Sequence, residues 1–230
     1  MRIRWKVVAQ APSPGVYAPQ ADTWFLERAL RRESPGPGVN VLDLGTGEGT
    51  LAVCAARQGA RVTATDISWR AVLSTRLNAL RARQHLDVRR GDLLAPVRGR
   101  TFDLVVSNPP YVPAPGPAPS ATGDAGHRAR ASDAWDAGHD GRAVLDRICA
   151  EVPSVLRPGG VLLMVQSGLS GTDTTLRSLT RSGLRATVSD RTRVPFGPVL
   201  RARRAWLREH HLIAPEQELE ELVIIRAEQI

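Results

Sequence analysis

The feature that most constrains this chain is a hydrophobic strand that ends in a glycine-spaced turn and continues as a helix. Val39-Asn40-Val41-Leu42-Asp43-Leu44 reads as a buried strand. Gly45-Thr46-Gly47-Glu48-Gly49-Thr50 follows, and then a predicted helix over 51–58. Alternate glycines permit positive φ and a close backbone approach, and the helix N-terminus aims amide donors at whatever lies above it. Alone, this pattern suits a dinucleotide site or a structural turn equally well. Asp43, two residues before the first glycine, narrows the choice. A pyrophosphate needs room there, whereas a carboxylate suits the positive end of a ligand.

Three more predicted strands repeat the theme. Arg61–Asp66 ends in an acid about 20 residues past the glycines, where a carboxylate can accept both hydroxyls of a ribose. Ile67-Ser68 lead into a helix that runs to about Arg83. Leu86–Arg90 is followed by Gly91-Asp92-Leu93, and Phe102–Val106 delivers Asn108-Pro109-Pro110-Tyr111. Pro109 and Pro110 cannot extend a sheet ladder, so they hold the backbone extended where the strand runs out. Lone acids at strand ends are usually caps or ion-pair partners. Three at successive strand ends, with a glycine loop between the first two, point to one ligand at the carboxyl edge of a parallel sheet.

The rest of the chain completes an α/β pattern. A helix over 142–156 stops at Arg157-Pro158-Gly159-Gly160, and Val161–Val165 is the next buried strand. A helix over 172–182, a strand over 184–194 and a last strand over 221–226 follow. At the start, Pro12, Pro14, Gly15 and Pro19 break residues 1–20 into short strand and loop. Asp22 reads as the N-cap of a helix carrying Trp24 to Leu30, and 34–38 is a Pro/Gly linker. Residues 113–134 lack core-forming side chains and read as a flexible surface loop or flap. His139 lacks a second histidine at metal spacing and reads as a solvent-facing loop residue; no metal site is expected. Residues 195–219, with Arg201, Arg203, Arg204, Trp206, Arg208, His210 and His211, form a basic insertion that includes a short helix. Two readings stand: a helix on the sheet edge with Trp206 beneath it, or a docking surface for RNA or an acidic partner.

The 230 residues suffice for one well-cored domain over 1–230. The formal charge of +8 is carried by arginine, Lys6 being the one lysine. A G+C-rich genome accounts for arginine over lysine. The net excess fits an acidic partner such as nucleic acid, though solubility alone also explains it. No apolar run approaches the ~20 residues of a membrane span, and the basic start is too short of apolar residues for a signal peptide. Cys54 and Cys149 read as buried reduced thiols, which suits a cytoplasmic protein.

Several of these stretches together resemble one family. Residues 41–50, VLDLGTGEGT, resemble the first motif of the class I methyltransferases, and Asn108-Pro109-Pro110-Tyr111 resembles the NPPY motif of those that methylate planar or amide nitrogens. Val16 to Thr23 resembles the Val-Tyr-x-Pro-x-x-Asp-Thr segment that closes over the cofactor in HemK/PrmC-like enzymes of the eukaryotic and archaeal type. Trp135 to Arg142 resembles their Trp-x-Gly-Gly-x-x-Gly-Arg block, with Ala137 in place of the first glycine. The resemblance implies a Rossmann-like α/β fold: a mostly parallel seven-stranded sheet with an antiparallel last strand and helices on both faces. Residues 1–38 would form the segment closing over the cofactor.

The resemblance further implies S-adenosyl-L-methionine as cofactor and S-adenosyl-L-homocysteine as product. Thr23, Asp43, Gly45, Thr46, Gly47, Asp66, Ile67, Asp92, Leu93 and Asn108 would bind it, with Asp92 accepting from the adenine amino group and Leu93 flanking the ring. Asn108, Pro109, Pro110 and Tyr111 would be catalytic. The Asn108 side-chain carbonyl and the Pro109 backbone carbonyl would accept the two hydrogens of an NH2 group, and Tyr111 would supply a flat wall. The implied acceptor is a protein glutamine, in the Gly-Gly-Gln loop of a class-1 translation release factor. A small activator protein is implied as a partner, because the helical N-terminal domain of the bacterial enzymes is missing here. The same motif serves adenine methyltransferases of DNA and RNA, which makes nucleic acid the alternative acceptor. No target-recognition domain for reading bases is expected, and no membrane association.

Overall fold

The computed structural model describes residues 15–115 and 137–230. Runs of buried aliphatic residues form seven strands: β1 (Asn40–Leu44), β2 (Arg61–Asp66), β3 (Leu86–Arg90), β4 (Phe102–Ser107), β5 (Leu156–Ser167), β6 (Leu184–Pro195) and β7 (Leu219–Gln229). They assemble in the order β3-β2-β1-β4-β5-β7-β6. The pairs from β3 across to β5 are parallel, and β7 runs antiparallel to both β5 and β6. Every residue of β1 from Val41 to Leu44 is buried, as a central strand covered on both faces requires. The fold is the Rossmann-like α/β sheet expected from the sequence.

The helices are α1 (Ala21–Glu33), α2 (Thr50–Arg57), α3 (Trp69–Arg81), α4 (Ala143–Glu151), α5 (Thr172–Arg181) and α6 (Pro198–Glu209). α2 packs against both α1 and α3, and α4 packs against α5. The order of strands reverses at β1, with β2 on one side and β4 on the other. That switch point opens a crevice above the strand ends, the usual ligand position in such sheets. Ser107 Oγ, at the end of β4, donates to the Leu44 carbonyl at 2.8 Å and ties the two strand ends together.

Three expectations change. The N-cap of α1 is Gln20, and Asp22 lies inside the first turn with its side chain buried. A carboxylate at that position reaches inward to the neighbouring hydroxyls of Tyr17, Thr23 and Tyr111. Arg157-Pro158-Gly159-Gly160 does not precede β5. It is a bulge within it, where the pairing with β4 jumps from Phe102↔Leu156 to Leu104↔Val161. Gly160 is needed there because a Cβ would stand 3.0 Å from the Phe102 carbonyl oxygen. The helix of the basic insertion does not lie on the sheet edge. Its apolar residues Leu200 and Leu207 join Phe196 and Ile213 in a small core packed against Val112 and Leu169, just past the end of β4. The burial of its leucines there outweighs any edge contact. Residues 1–14 and most of the 113–134 loop lie outside the described residues, as does Trp135.

Among the described residues no helix is long and apolar enough to cross a membrane. Cys54 and Cys149 are unpaired and buried, and burial pushes both thiols up to about 12.

Candidate active site

A cavity of about 360 Å³ opens at the switch point. Its floor is the turn after β1. Gly45, Gly47 and Gly49 all have positive φ. A Cβ on Gly45 would meet nothing within 4 Å, so the turn presents bare backbone to the space above. Gly49 is required for packing instead, since a Cβ there would lie 2.7 Å from Thr75 Cγ2.

Asp66 ends β2 and lines the cavity. One of its oxygens accepts the Gly47 N–H at 3.0 Å and the other the Ser68 N–H at 2.8 Å. The carboxylate is thereby fixed in direction while each oxygen keeps a lone pair. Burial raises its pKa, and the backbone N–H donors oppose the shift. Ile67 extends the wall beyond it.

Asp43 behaves differently from the other strand-end acids. It is 1 % exposed and does not line the cavity. Its Oδ2 accepts from Thr46 Oγ1 at 2.6 Å and from the Ala52 N–H at 3.0 Å, so the carboxylate ties the glycine turn to the start of α2. Burial lifts its carboxyl to about 7. Asp92 lines the far end of the cavity with Leu93, and it is held by the Arg147 guanidinium through two bonds of 3.1 and 2.7 Å.

At the opposite end sits Asn108. Its Nδ2 donates to Thr23 Oγ1 at 3.2 Å, and Thr23 Oγ1 donates in turn to Asp22 Oδ1 at 3.1 Å. The chain of donors sets the amide so that Asn108 Oδ1 remains an acceptor. Asp22 Oδ2 takes the hydroxyls of both Tyr17 (2.5 Å) and Tyr111 (2.8 Å). Desolvation, followed by the negative charge of Asp22, raises both phenols above their ordinary range. Tyr111 is buried in the main core, with its ring edge anchored by this bond.

The backbone after β4 is clamped from three sides. Ser170 Oγ donates to the Tyr111 carbonyl at 2.6 Å. The buried Arg142 guanidinium holds the Ser170 and Gly171 carbonyls and Thr175 Oγ1. Arg203 of α6 donates to the Val112 and Pro113 carbonyls at 3.0 and 3.1 Å. Gly141 passes so close that a Cβ would stand 2.3 Å from the Tyr111 carbonyl oxygen. His139 is exposed, its ring edge-on to Trp206 at 5.2 Å.

All of the residues predicted for the site line the cavity except Asp43. Thr23, Gly45, Thr46, Gly47, Asp66, Ile67, Asp92 and Leu93 are joined there by Asn108, Pro109, Pro110 and Tyr111. Sequence reasoning missed Asp22 as a partner of the tyrosines, Tyr17 itself, Arg147 and Glu220. Asp22 and Tyr17 were within reach, because both belong to the Val16–Thr23 motif. Glu220 and Arg147 carry no local signal.

The fold and the cavity at the switch point are those of a class I methyltransferase. The methyltransferase small domain family matches residues 13–120. A putative protein N5-glutamine methyltransferase from Methanocaldococcus jannaschii is 33% identical over 184 residues, covering 80% of this chain and 88% of its own. The chain therefore belongs to the HemK/PrmC-like family of protein glutamine methyltransferases and is an enzyme. The release factor glutamine methyltransferase of Deinococcus radiodurans is 40% identical over 167 residues, where the alignment takes in 70% of this chain and 58% of that protein. Among solved structures, that of the E. cuniculi Mtq2-Trm112 complex, responsible for methylation of the eRF1 translation termination factor, superposes with a TM-score of 0.65 at 25% identity over 94% of this chain and 99% of that one.

Proposed function

We propose that this enzyme transfers a methyl group from S-adenosyl-L-methionine to the side-chain amide of a protein glutamine, in the Gly-Gly-Gln loop of a class-1 release factor. The observation that carries the reading is the Asn108–Thr23 hydrogen bond, which leaves Asn108 Oδ1 available to an acceptor amide in the cavity.

The residues present fit the cofactor. Asp66 is a fixed carboxylate for the ribose hydroxyls. The bare backbone at Gly45 and Gly47 suits the methionine portion, Ile67 and Leu93 suit the faces of the adenine, and Asp92 suits its amino group. Thr46 helps to shape the turn through its bond to Asp43. Asp43 acts through that turn, by holding it to α2. When bound, the cofactor supplies an electrophilic methyl group.

The chain's own task is positioning. An amide nitrogen is a poor nucleophile because its lone pair is delocalised. Asn108 Oδ1 and the Pro109 carbonyl each accept one hydrogen of the NH2 group, turn its lone pair out of conjugation and stabilise the positive charge that develops on nitrogen. The Pro109-Pro110 pair keeps that carbonyl in place, and Tyr111 walls the acceptor. The nitrogen sheds its extra proton after transfer, so no general base is required.

The state of α6 supports a protein acceptor over nucleic acid. Arg203 is committed to the Val112 and Pro113 carbonyls, Arg204 to Glu218 at 2.9 Å, and Arg208 to the Pro215 carbonyl. With three of its four guanidiniums already bonded to the chain, and Arg201 alone exposed, α6 has fewer to offer to phosphates.

A small activator protein also fits. α3 carries Trp69, Leu73, Leu77 and Leu80 exposed along one side, next to the open edge strand β3. A helix stripe of this size, beside a strand whose outer edge is free among the described residues, is a surface that a partner would cover. The reading is tested by incubating the enzyme, with such a partner, with the cognate release factor and S-adenosyl-L-methionine. Peptide mass spectrometry should show one added methyl on the glutamine. Cofactor binding without methylation would refute the acceptor.

A further inference from the structure

Glu220 opens β7 at the rim where β4 delivers Asn108. Its side chain lines the acceptor end of the cavity although the residue is only 5 % exposed. Ser167, fully buried on β5, hydrogen-bonds to the carboxylate. The other requirement of a buried carboxylate is unmet: Oε2 has no hydrogen-bond partner among the described residues. Native structures seldom leave a buried carboxyl oxygen unpaired unless a ligand completes it.

The surroundings narrow what that ligand group is. Asp22 of α1 and the phenols of Tyr17 and Tyr111 are the titratable groups that act on Glu220, and all are acids. Asp22 already accepts from both phenols, so neither tyrosine hydroxyl is left to satisfy Glu220. The acceptor end of the cavity is therefore rich in hydrogen-bond acceptors and negative potential. It disfavours a phosphate and favours N–H groups.

Resting on the glutamine reading above, we propose that Glu220 is an acceptor-binding residue whose Oε2 receives a main-chain N–H of the target loop, from the glutamine or from the glycine before it. It thereby holds the loop in register while Asn108 and Pro109 hold the side-chain amide. The contact adds a requirement for a neutral, N–H-rich peptide that the Asn-Pro-Pro-Tyr geometry alone does not impose. Nucleic acid bases flanked by phosphates fail that requirement.

The test uses the full chain with its activator partner, and the variants Glu220→Gln and Glu220→Ala. Gln keeps an oxygen for Ser167 and puts an NH2 group where Oε2 was, so donor faces donor. KM for the release factor should rise about tenfold or more in both variants, with kcat within about threefold and cofactor affinity unchanged. A merely structural role would lower cofactor affinity and thermal stability together.

Peptides containing Gly-Gly-Gln provide a second readout that needs no turnover. Analogues N-methylated at the glutamine or at the preceding glycine each lack one main-chain N–H. One of them should bind the wild type about tenfold more weakly than the parent peptide, and that penalty should vanish in Glu220→Gln. Equal binding of all three peptides by the wild type, or no binding, overturns the assignment, as does an unchanged KM in Glu220→Gln. Failure of the wild type to methylate the release factor while the N-methyl penalty persists would instead count against the proposed function alone.

Discussion

Asn108 Nδ2 lies 3.2 Å from Thr23 Oγ1, joining the end of β4 to the first turn of α1 across 85 residues of chain. The bond decides which face of the amide looks into the cavity. Thr23→Val keeps the side-chain shape and removes the oxygen, so Asn108 loses its orienting partner. Asp22 Oδ1 retains the Thr23 backbone N–H at 2.5 Å, and the turn should persist. We expect kcat to fall about tenfold with little change in cofactor affinity. Asn108→Ala should lower turnover about a hundredfold or more and leave cofactor binding largely intact. Steady-state kinetics and calorimetric cofactor titration check both. Normal turnover by Asn108→Ala would refute the assigned role.

Asp66 holds Gly47 and Ser68 by their amides while facing the cavity. Asp66→Ala therefore removes a ligand contact and frees the glycine turn. Charge-assisted bonds of this kind are each worth about 1.5–3 kcal/mol, so the cofactor Kd should rise by roughly one to two orders of magnitude. Calorimetry measures it directly. A variant that binds the cofactor as tightly as wild type would show that the ribose is held elsewhere.

Gly141 combines a φ of +74° with a Cβ position 2.3 Å from the Tyr111 carbonyl oxygen. Gly141→Ala meets backbone that has nowhere to go, because Ser170 and Arg203 fix the same segment. A loss of about 2–4 kcal/mol is expected from the strained backbone and the overlap together. Denaturant unfolding should show it, with turnover lost out of proportion to cofactor affinity.

Asp43 predicts a pH dependence of stability. Its carboxyl sits at about 7 in the folded chain against an ordinary 3.8, because it is buried. An acid whose folded pKa is raised holds its proton more tightly when folded. Its stabilising contribution is full below about pH 4 and is lost as the pH rises toward 7. Asp43→Asn keeps an oxygen for Thr46 and Ala52 but does not titrate. The stability of wild type relative to this variant should therefore fall between about pH 4 and pH 7, by a few kcal/mol at most, and level off above that. Glu220, lifted by burial to a similar value, is common to both proteins and cancels in the difference. Denaturant titrations at the two pH values would give parallel shifts if Asp43 does not titrate in this range.

The apolar stripe on α3 predicts partner dependence. Leu73→Glu and Leu77→Glu change exposed positions, at 49% and 45% accessibility, and should leave the unfolding midpoint of the isolated chain nearly unchanged. They should abolish association with the activator protein in analytical ultracentrifugation. Unaltered association would place the partner on another face.

The sequence by itself determined the sheet and the half of the site built along it. Glycine spacing, acids at strand ends and the prolines after β4 are local signals. In a parallel α/β sheet, local position fixes spatial position, because every strand end faces the same edge. That logic brought Asp66, Asp92 and Asn108 to one cavity and gave the insertion its helix. Only the tertiary structure decided what each carboxylate does there. Asp43 turns inward to Thr46 and Ala52, while Asp22 leaves the cap position to serve two tyrosines. Helix α6 folds over the end of β4, and Glu220 arrives from the antiparallel strand with an unpaired oxygen. The bond of Tyr111 to Asp22, the packing of α6 and the setting of Glu220 depend on partners distant in the chain. Even the near partners of Asp43 take effect only through burial, which no window of neighbouring residues encodes.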